Sequence, residues 1–328
     1  MKIPAKLKEL LHRSAVGNED MAMAAQYELV EALVEPLREG VLVGDIISDI
    51  FAREDLDVNA YPEYHLSFLA PGTEKDHVAY TIPRLGYIPQ RHIEADYVMV
   101  PTYTIGNSID WTLKFAEHAR FGQIEKAMEA FELGFTKKKN DDGWHTLLMA
   151  GADRNIVVYD TDANVGQFTK RLVSLMKLIV RRNGGGNSAS NNRRKLTDLW
   201  LAPEAMEDMR NWGIDQVDEV TRRELYVAED ASLNRVFSVN MHDIDELGQG
   251  QEYQNFYTNQ IGGALASGDV ELVVGMDLTR GNFYMPVKKA MEMFPDRSMH
   301  RQQREGVYGW EELGFFCADN RDIILGSY

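Results

Sequence analysis

Residues 108–140 read SIDWTLKFAEHARFGQIEKAMEAFELGFTKKKN, and what this stretch becomes decides the architecture around it. Ile124, Ala127, Met128, Phe131 and Phe135 recur on one stripe at helical spacing, the pattern of a helix that buries one face. Asn107 or Ser108 supplies an N-cap, Asp110 suits the positive end of the dipole, and Lys137, Lys138 and Lys139 suit the negative end. The spacing predicts one long helix of about 30 residues, roughly 45 Å at ~1.5 Å per residue. Gly122 and Gly134 each weaken it by about 1 kcal/mol relative to alanine, and DDGW, from Asp141, reads as the turn that follows.

The stretch before the helix has the opposite character. Residues 57–106 hold five of the ten prolines and six of the fourteen tyrosines, a density that excludes helix. DHVAYTIP (76–83) and ADYVMVPTYTI (95–105) read as strands of a long two-stranded arm, with Pro83 and Pro101 where no ladder donor is needed. An isolated hairpin is marginal in water, so an arm with this much aromatic surface must lie on its own domain or on another subunit. Tyr61, Tyr64, Tyr80, Tyr87, Tyr97 and Tyr103 are the candidate contact residues, because a tyrosine ring gives apolar area while its hydroxyl still finds a partner.

Outward from these two segments the pattern is mixed α and β. Toward the N-terminus, helices are expected at 19–39 and 44–53, preceded by a basic, mobile tail. Toward the C-terminus, LTDLWLA and ELVVGMDL read as buried strands, and PEAMEDMRNW is a short helix opened by Pro203. The tail GVYGWEELGFFCADNRDIILGSY reads as two strands joined at the polar turn DNRD.

At 328 residues and 44% apolar, the chain supports a real core, and a net charge of −16 argues against a surface built throughout to coat nucleic acid. The single cysteine, Cys317, excludes an internal disulfide framework and reads as a small buried side chain in a strand. No apolar run approaches the ~20 residues of a membrane span. The charge is uneven: Ala163–Thr197 has no acid and eight basic residues, leaving −24 on the rest. A helix capped at Asn164 carries part of that charge, with Phe168, Leu172, Leu175, Met176 and Ile179 inward and Lys170, Lys177 and Arg181 outward. The following RRNGGGNSASNNRRK (181–195) has no Gly-Lys-Ser/Thr and follows a helix where a phosphate loop would follow a strand, so it reads as a flexible connector. DIDELGQG, from Asp243, and DTDANVG, from Asp160, lack the ligands a calcium loop requires. The eight histidines form no zinc-binding pair, and there is neither a nucleophile elbow nor a dinucleotide fingerprint. No catalytic residue, cofactor site or metal site is expected.

The order of these parts, together with KLTDLWLAPEAMEDMRNWGIDQVDEVTRREL (195–225), FSVNMHDIDELGQGQEYQN (237–255), ELVVGMDL (271–278) and HRQQREGVYGWEELGFFCADNRDIILGSY (300–328), resembles tailed-bacteriophage major capsid proteins of the HK97 type. The resemblance implies an α+β fold with an N-terminal arm (1–56), an extended loop (57–106), a peripheral domain with a spine helix (107–160 and 291–328) and an axial domain (161–290). It implies a non-enzymatic subunit that assembles with itself into hexamers and pentamers of an icosahedral head around double-stranded DNA, formed in the bacterial cytoplasm. Scaffolding, portal and decoration proteins are further partners of that kind, and no membrane is involved. Some relatives join an arm lysine covalently to a neighbour; Lys75, the one lysine between 57 and 113, reads instead as a solvated turn residue. The loop at 184–192 is expected to adapt between pentamer and hexamer. Two alternatives stay open at this point: an encapsulin-like nanocompartment shell, and a nucleic-acid-binding regulator using the basic helix 170–182.

Overall fold

The computed structural model describes residues 5–16, 24–29, 32, 46–65, 97–117, 121–183, 194–212, 235–266, 268–296 and 302–328. In chain order its elements begin with α1 (Ala5–Val16), β1 (Ala52–Asp55), β2 (Glu63–His65), β3 (Tyr97–Met99), β4 (Tyr103–Thr112), α2 (Leu113–Glu117) and α3 (Phe121–Asp153). Then come β5 (Val157–Val158), α4 (Lys170–Asn183), β6 (Asp198–Leu201), α5 (Pro203–Asn211), β7 (Arg235–Val236), β8 (Val239–Asp243) and α6 (Glu252–Asn255). The last are β9 (Leu272–Met276), β10 (Phe283–Asp296), β11 (Arg304–Leu313), β12 (Phe316–Cys317) and β13 (Ile323–Ser327). Described residues within Met1–Pro62, Met99–Gly143 and Tyr284–Phe316 form one compact unit; those within Glu63–Val98, Trp144–Phe283 and Cys317–Tyr328 form a second.

The first unit is built on a sheet ordered β1-β10-β11-β4, with β1 parallel to β10 and the remaining neighbours antiparallel. Here the expected start of the long helix is corrected. Residues 103–112 are strand, paired throughout with β11 from Tyr103↔Leu313 to Thr112↔Arg304. Their tyrosine, threonine, isoleucine and tryptophan content suits a pleated surface, and a full ladder outweighs a capping signal. Asp110 is not at a helix N-terminus but pairs with Arg304 at 3.0 Å. Asn107 is not a cap either; its Nδ2 donates to the Phe131 carbonyl at 3.4 Å.

The long helix is α3, of 33 residues, and it continues through DDGW instead of turning there. Gly134 and Gly143 lie inside it because of what they touch. A Cβ on Gly134 would sit 2.7 Å from Asn107 Nδ2, and one on Gly143 would sit 2.7 Å from Ile47 Cδ1. Both glycines admit a close neighbour, and that packing offsets their poor propensity. The three lysines are mid-helix: Lys138 bonds Asp142 at 2.7 Å one turn on, and Lys139 is buried against Glu311 of β11. The expected apolar stripe is present, with Ile124, Met128, Phe131 and Phe135 buried and the two phenylalanine rings 5.0 Å apart.

The N-terminal expectations are also revised. The segment read as a mobile tail folds as α1, burying Leu10 and Leu11, with Ser14 Oγ 3.2 Å from Glu305 Oε2. Residues 24–29 are helical, as expected of 19–39. In place of a helix over 44–53 there is one tight turn, Ile47–Asp49, followed by β1, because Ala52–Asp55 finds a parallel partner in Tyr284–Val287.

The second unit is built on a six-stranded sheet ordered β5-β13-β9-β6-β8-β7. α4 and α5 cover it with Leu172, Val173, Met176, Val180, Ala205, Met206 and Met209, which meet Leu199, Leu201, Met241 and Val273 in one core. Asn164 does not cap α4. The cap is Thr169, whose Oγ1 accepts from the Leu172 amide at 3.3 Å, so the helix starts at Lys170. The strands of LTDLWLA and ELVVGMDL and the Pro203 helix form where expected. The C-terminal strands do not form a hairpin: β11 belongs to the first sheet, whereas β13 lies between β5 and β9 of the second.

Gly143→Ala tests the packing account of the long helix. Propensity alone would stabilise it by about 1 kcal/mol. The added methyl meets three atoms of Ile47 at 2.7–3.0 Å, so a net loss of about 1–2 kcal/mol and a lower melting temperature are expected. Combining it with Ile47→Val should recover part of the loss, a non-additive pair in a double-mutant cycle.

Candidate assembly interfaces

The arm begins as a ladder. β2 and β3 pair with each other, and the Val100 amide donates to the Pro62 carbonyl at 3.0 Å just below them. Residues 66–96, including Tyr80, Tyr87, Lys75 and the expected strand 76–83, lie outside the described residues. At the base the tyrosines divide into two groups. Tyr61 and Tyr97 are exposed, at 68% and 57%, together with Met99 and Val58. Tyr64 is half-buried. Tyr103 is engaged within its own chain: its hydroxyl donates to Asp142 at 2.8 Å, linking β4 to α3. Burial first, and then the hydrogen bond to Asp142 and its charge, hold that phenol neutral far above its usual range.

Tyr61 is held in place through its ring. Lys288 Nζ lies 5.6 Å from the ring centroid, a cation–π distance, and also faces Glu312 at 3.9 Å. Glu312 accepts from Thr102 Oγ1 at 2.9 Å, so the entry and exit strands of the arm share one polar anchor. A further aromatic surface was not singled out from sequence. Phe294 of β10 and Tyr308 of β11 are directly paired across the ladder, with Trp310 4.8 Å from Phe294. Their period-2 spacing along strands was the available signal.

The basic segment is split up by the fold. Arg171, Ser174, Leu178, Arg181 and Arg182 form the exposed side of α4. Arg171 is tied back to Asp160 and Asp162, which gives the DTDANVG stretch a structural partner. Lys177 donates to the Phe237 carbonyl at the β7–β8 hairpin. That hairpin turns on Phe237 and Ser238, both left-handed with φ of 50° and 63°, a conformation that costs each non-glycine residue about 1–3 kcal/mol. Phe237 is nevertheless exposed. The connector 184–193 lies outside the described residues.

Arg194, read from sequence as part of a flexible connector, is 3% exposed. Its guanidinium donates to Asp319 and to Asp322, and Asn282 donates to the other Asp322 oxygen. Burial works to raise the Asp319 carboxyl, but hydrogen bonds from Arg321 and the charge of Arg194 outweigh it and hold it below the ordinary carboxylate range. The hint in sequence was the acidic turn DNRD, which cannot enter a core without a cation. Cys317 sits beside this cluster, and burial pushes its thiol up to about 12.

With this architecture established, it can be compared with solved structures. The chain is similar to one in the structure of Microbacterium phage Oxtober96, with a TM-score of 0.56 and 8% identity over 87% of this chain and 90% of that one. It is similar to a chain of the cyanophage Pam1 capsid asymmetric unit, with a TM-score of 0.53 and 11% identity over 85% and 88%. A third, from the head structure of Helicobacter pylori bacteriophage KHP40, has a TM-score of 0.51 and 9% identity over 87% and 91%. No family model matches the chain, and no curated protein matches its sequence. What is shared at such identities is architecture: the chain has the α+β, HK97-like fold of phage capsid subunits.

Arg194→Met removes the cation that bridges two buried aspartates, leaving Arg321 on Asp319 and no cation on Asp322, and a loss of about 3–5 kcal/mol is expected. The pH dependence has a defined sign. A carboxyl depressed in the folded state, as Asp319 is, contributes stability above its unfolded value near ~4 and loses it as pH falls through the folded value. Melting temperature against pH should therefore fall below about pH 4 in the parent. In Arg194→Met that fall should be shallower, so the gap in melting temperature between parent and variant narrows as pH drops below about 4.

Proposed function

We propose that this chain is the major capsid protein of a tailed bacteriophage. The reading is carried by the likeness of nearly the whole chain, in both directions of coverage, to subunits of a capsid asymmetric unit and of a phage head. In this reading the role is structural, and the geometry is put to use in assembly. The first unit, with its sheet and much of α3, serves as the peripheral domain. The six-stranded sheet and its helices serve as the axial domain at the centre of hexamers and pentamers.

The arm supplies what flat edges lack. A shell is built from many modest contacts repeated by symmetry, and an arm reaching across a neighbour adds buried area to each. Tyr61 and Tyr97, exposed at its base, then contact a neighbouring copy, as do Tyr64, Tyr80 and Tyr87 along its length; Tyr103 supports the arm from within. The head encloses double-stranded DNA without sequence-specific contacts, and scaffolding, portal and decoration proteins are the further partners. No helix among the described residues is long and apolar enough to cross a membrane.

Three experiments bear on this. Purified protein at high concentration should yield megadalton closed shells in sizing and electron microscopy; a chain that stays monomeric refutes the reading, and shells filled with protein cargo would redirect it to a nanocompartment. Replacing 66–96 by Asn-Gly closes the β2–β3 ladder with a two-residue turn suited to a hairpin. That variant should remain folded by circular dichroism and form no shells. Tyr61→Ser with Tyr97→Ser should keep its melting temperature and lower shell yield by about tenfold.

A further inference from the structure

The charge of the second unit is segregated along the chain in two complementary blocks. Ala163–Thr197 has eight basic residues and no acid, whereas Val236–Thr279 has seven acids and neither lysine nor arginine. Part of each block is satisfied internally, as with Arg171, Arg194 and Asp277. The rest is not. Arg181 and Arg182 are exposed at the end of α4, and Asp243, Asp245 and Glu246 are exposed just after β8. None of these five has an ion-pair partner among the described residues.

Their placement keeps these arginines and these acids apart within one copy. Lys177 holds the Phe237 carbonyl, so the C-terminal part of α4 stands beside the β7–β8 turn. The acids lie at the other end of β8, from its last residue Asp243 to Glu246. Five residues at ~3.3 Å each separate the two ends by about 15 Å, too far for direct pairing. A second observation marks the basic end as a contact surface. Phe237 and Leu178 are exposed there, and Phe237 occupies a left-handed turn position where asparagine or glycine would be unstrained. A large aromatic kept exposed in a strained position is the signature of an anchor residue.

We propose that the ridge formed by Phe237, Leu178, Arg181 and Arg182 of one copy docks on the acidic segment 243–246 of the next copy around the capsomer axis. The inference rests on the capsid reading and deepens it. Two different, complementary surfaces at opposite ends of one strand make a heterologous, head-to-tail contact, which closes into a ring when the rotation between copies divides a full turn. The acidic occupant is a second copy of this chain because that copy carries the matching block, and the net charge of −16 disfavours a polyanion as the general partner.

Charge exchange tests it. Arg181→Glu/Arg182→Glu and, separately, Asp245→Arg/Glu246→Arg should each lower ring formation by at least about tenfold in sedimentation velocity near 0.15 M salt. The four substitutions together should restore rings to within about threefold of the parent. Circular dichroism and melting temperature should be unchanged, since all four positions are exposed. Phe237→Gly removes the strain and the anchor at once, so it should melt no lower than the parent while weakening rings about fivefold or more. Parent-like rings from either charge variant overturn the proposal, as does a folded four-fold variant that stays dissociated. Loss of co-purified nucleic acid with assembly intact overturns it in favour of a nucleic-acid contact. A parent chain that forms neither rings nor shells overturns both this proposal and the capsid reading, whereas parent shells indifferent to charge exchange overturn this one alone.

Discussion

A guanidinium withdrawn from water has to be neutralised where it lies, and in the second unit that condition falls on Arg194. Asp319 and Asp322 meet it, and Asn282 takes up a remaining oxygen. The cluster thereby ties together the approach to β6, the approach to β10 and the turn before β13. β13 enters the sheet directly from that turn, so its register against β9 and β5 depends on the turn being held. The helices α4 and α5 then cover a surface that includes Ile324 of β13. Removing one partner is expected to be more damaging than replacing the whole cluster with apolar residues, because a lone buried charge is what the fold cannot accommodate.

The readable parts of the sequence were those where local pattern and tertiary partner agree. The apolar stripe Ile124–Phe135, the strands LTDLWLA and ELVVGMDL and the Pro203 helix all formed as expected. The failures share one cause: a long-range partner overrode a local signal. Ser108 and Asp110 look like a helix start, but β11 holds them in a ladder. Lys137–Lys139 followed by Asp-Asp-Gly looks like a helix end, but Glu311 and Ile47 receive Lys139 and Gly143. Arg194 looks like part of a flexible connector until residues 319–322 are brought to it. None of these partners is within a hundred residues except Ile47, which meets Gly143 of α3, and periodicity carries no information over such distances. The candidate contact surface was legible in part. The tyrosine density of 57–106 drew notice to Tyr61 and Tyr97, but composition could not distinguish them from Tyr103, which bonds to Asp142.

The same contrast separates what stabilises a subunit from what is left for its neighbours. Aromatic residues facing inward are matched ring to ring, as Trp144 is by Tyr253 at 5.6 Å and by Trp200 at 6.0 Å. Those at the arm's base and at the β7–β8 turn keep apolar area in water. A monomer carries scattered exposed apolar residues at little cost. Such residues gathered beside the β2–β3 ladder and at a strained turn are better explained by association than by chance. The capsid reading therefore draws on two independent features, architecture and the location of unsatisfied surface.

The position of β13 sets an order of events during synthesis. In the six-stranded sheet it fills the place between β9 and β5, strands made about 50 and 165 residues earlier. Until 323–327 leaves the ribosome, β9 has no partner on that side and β5 has no neighbour among the described strands. A nascent chain of this protein thus carries an open groove in its second unit until residues 323–327 take their place between β9 and β5.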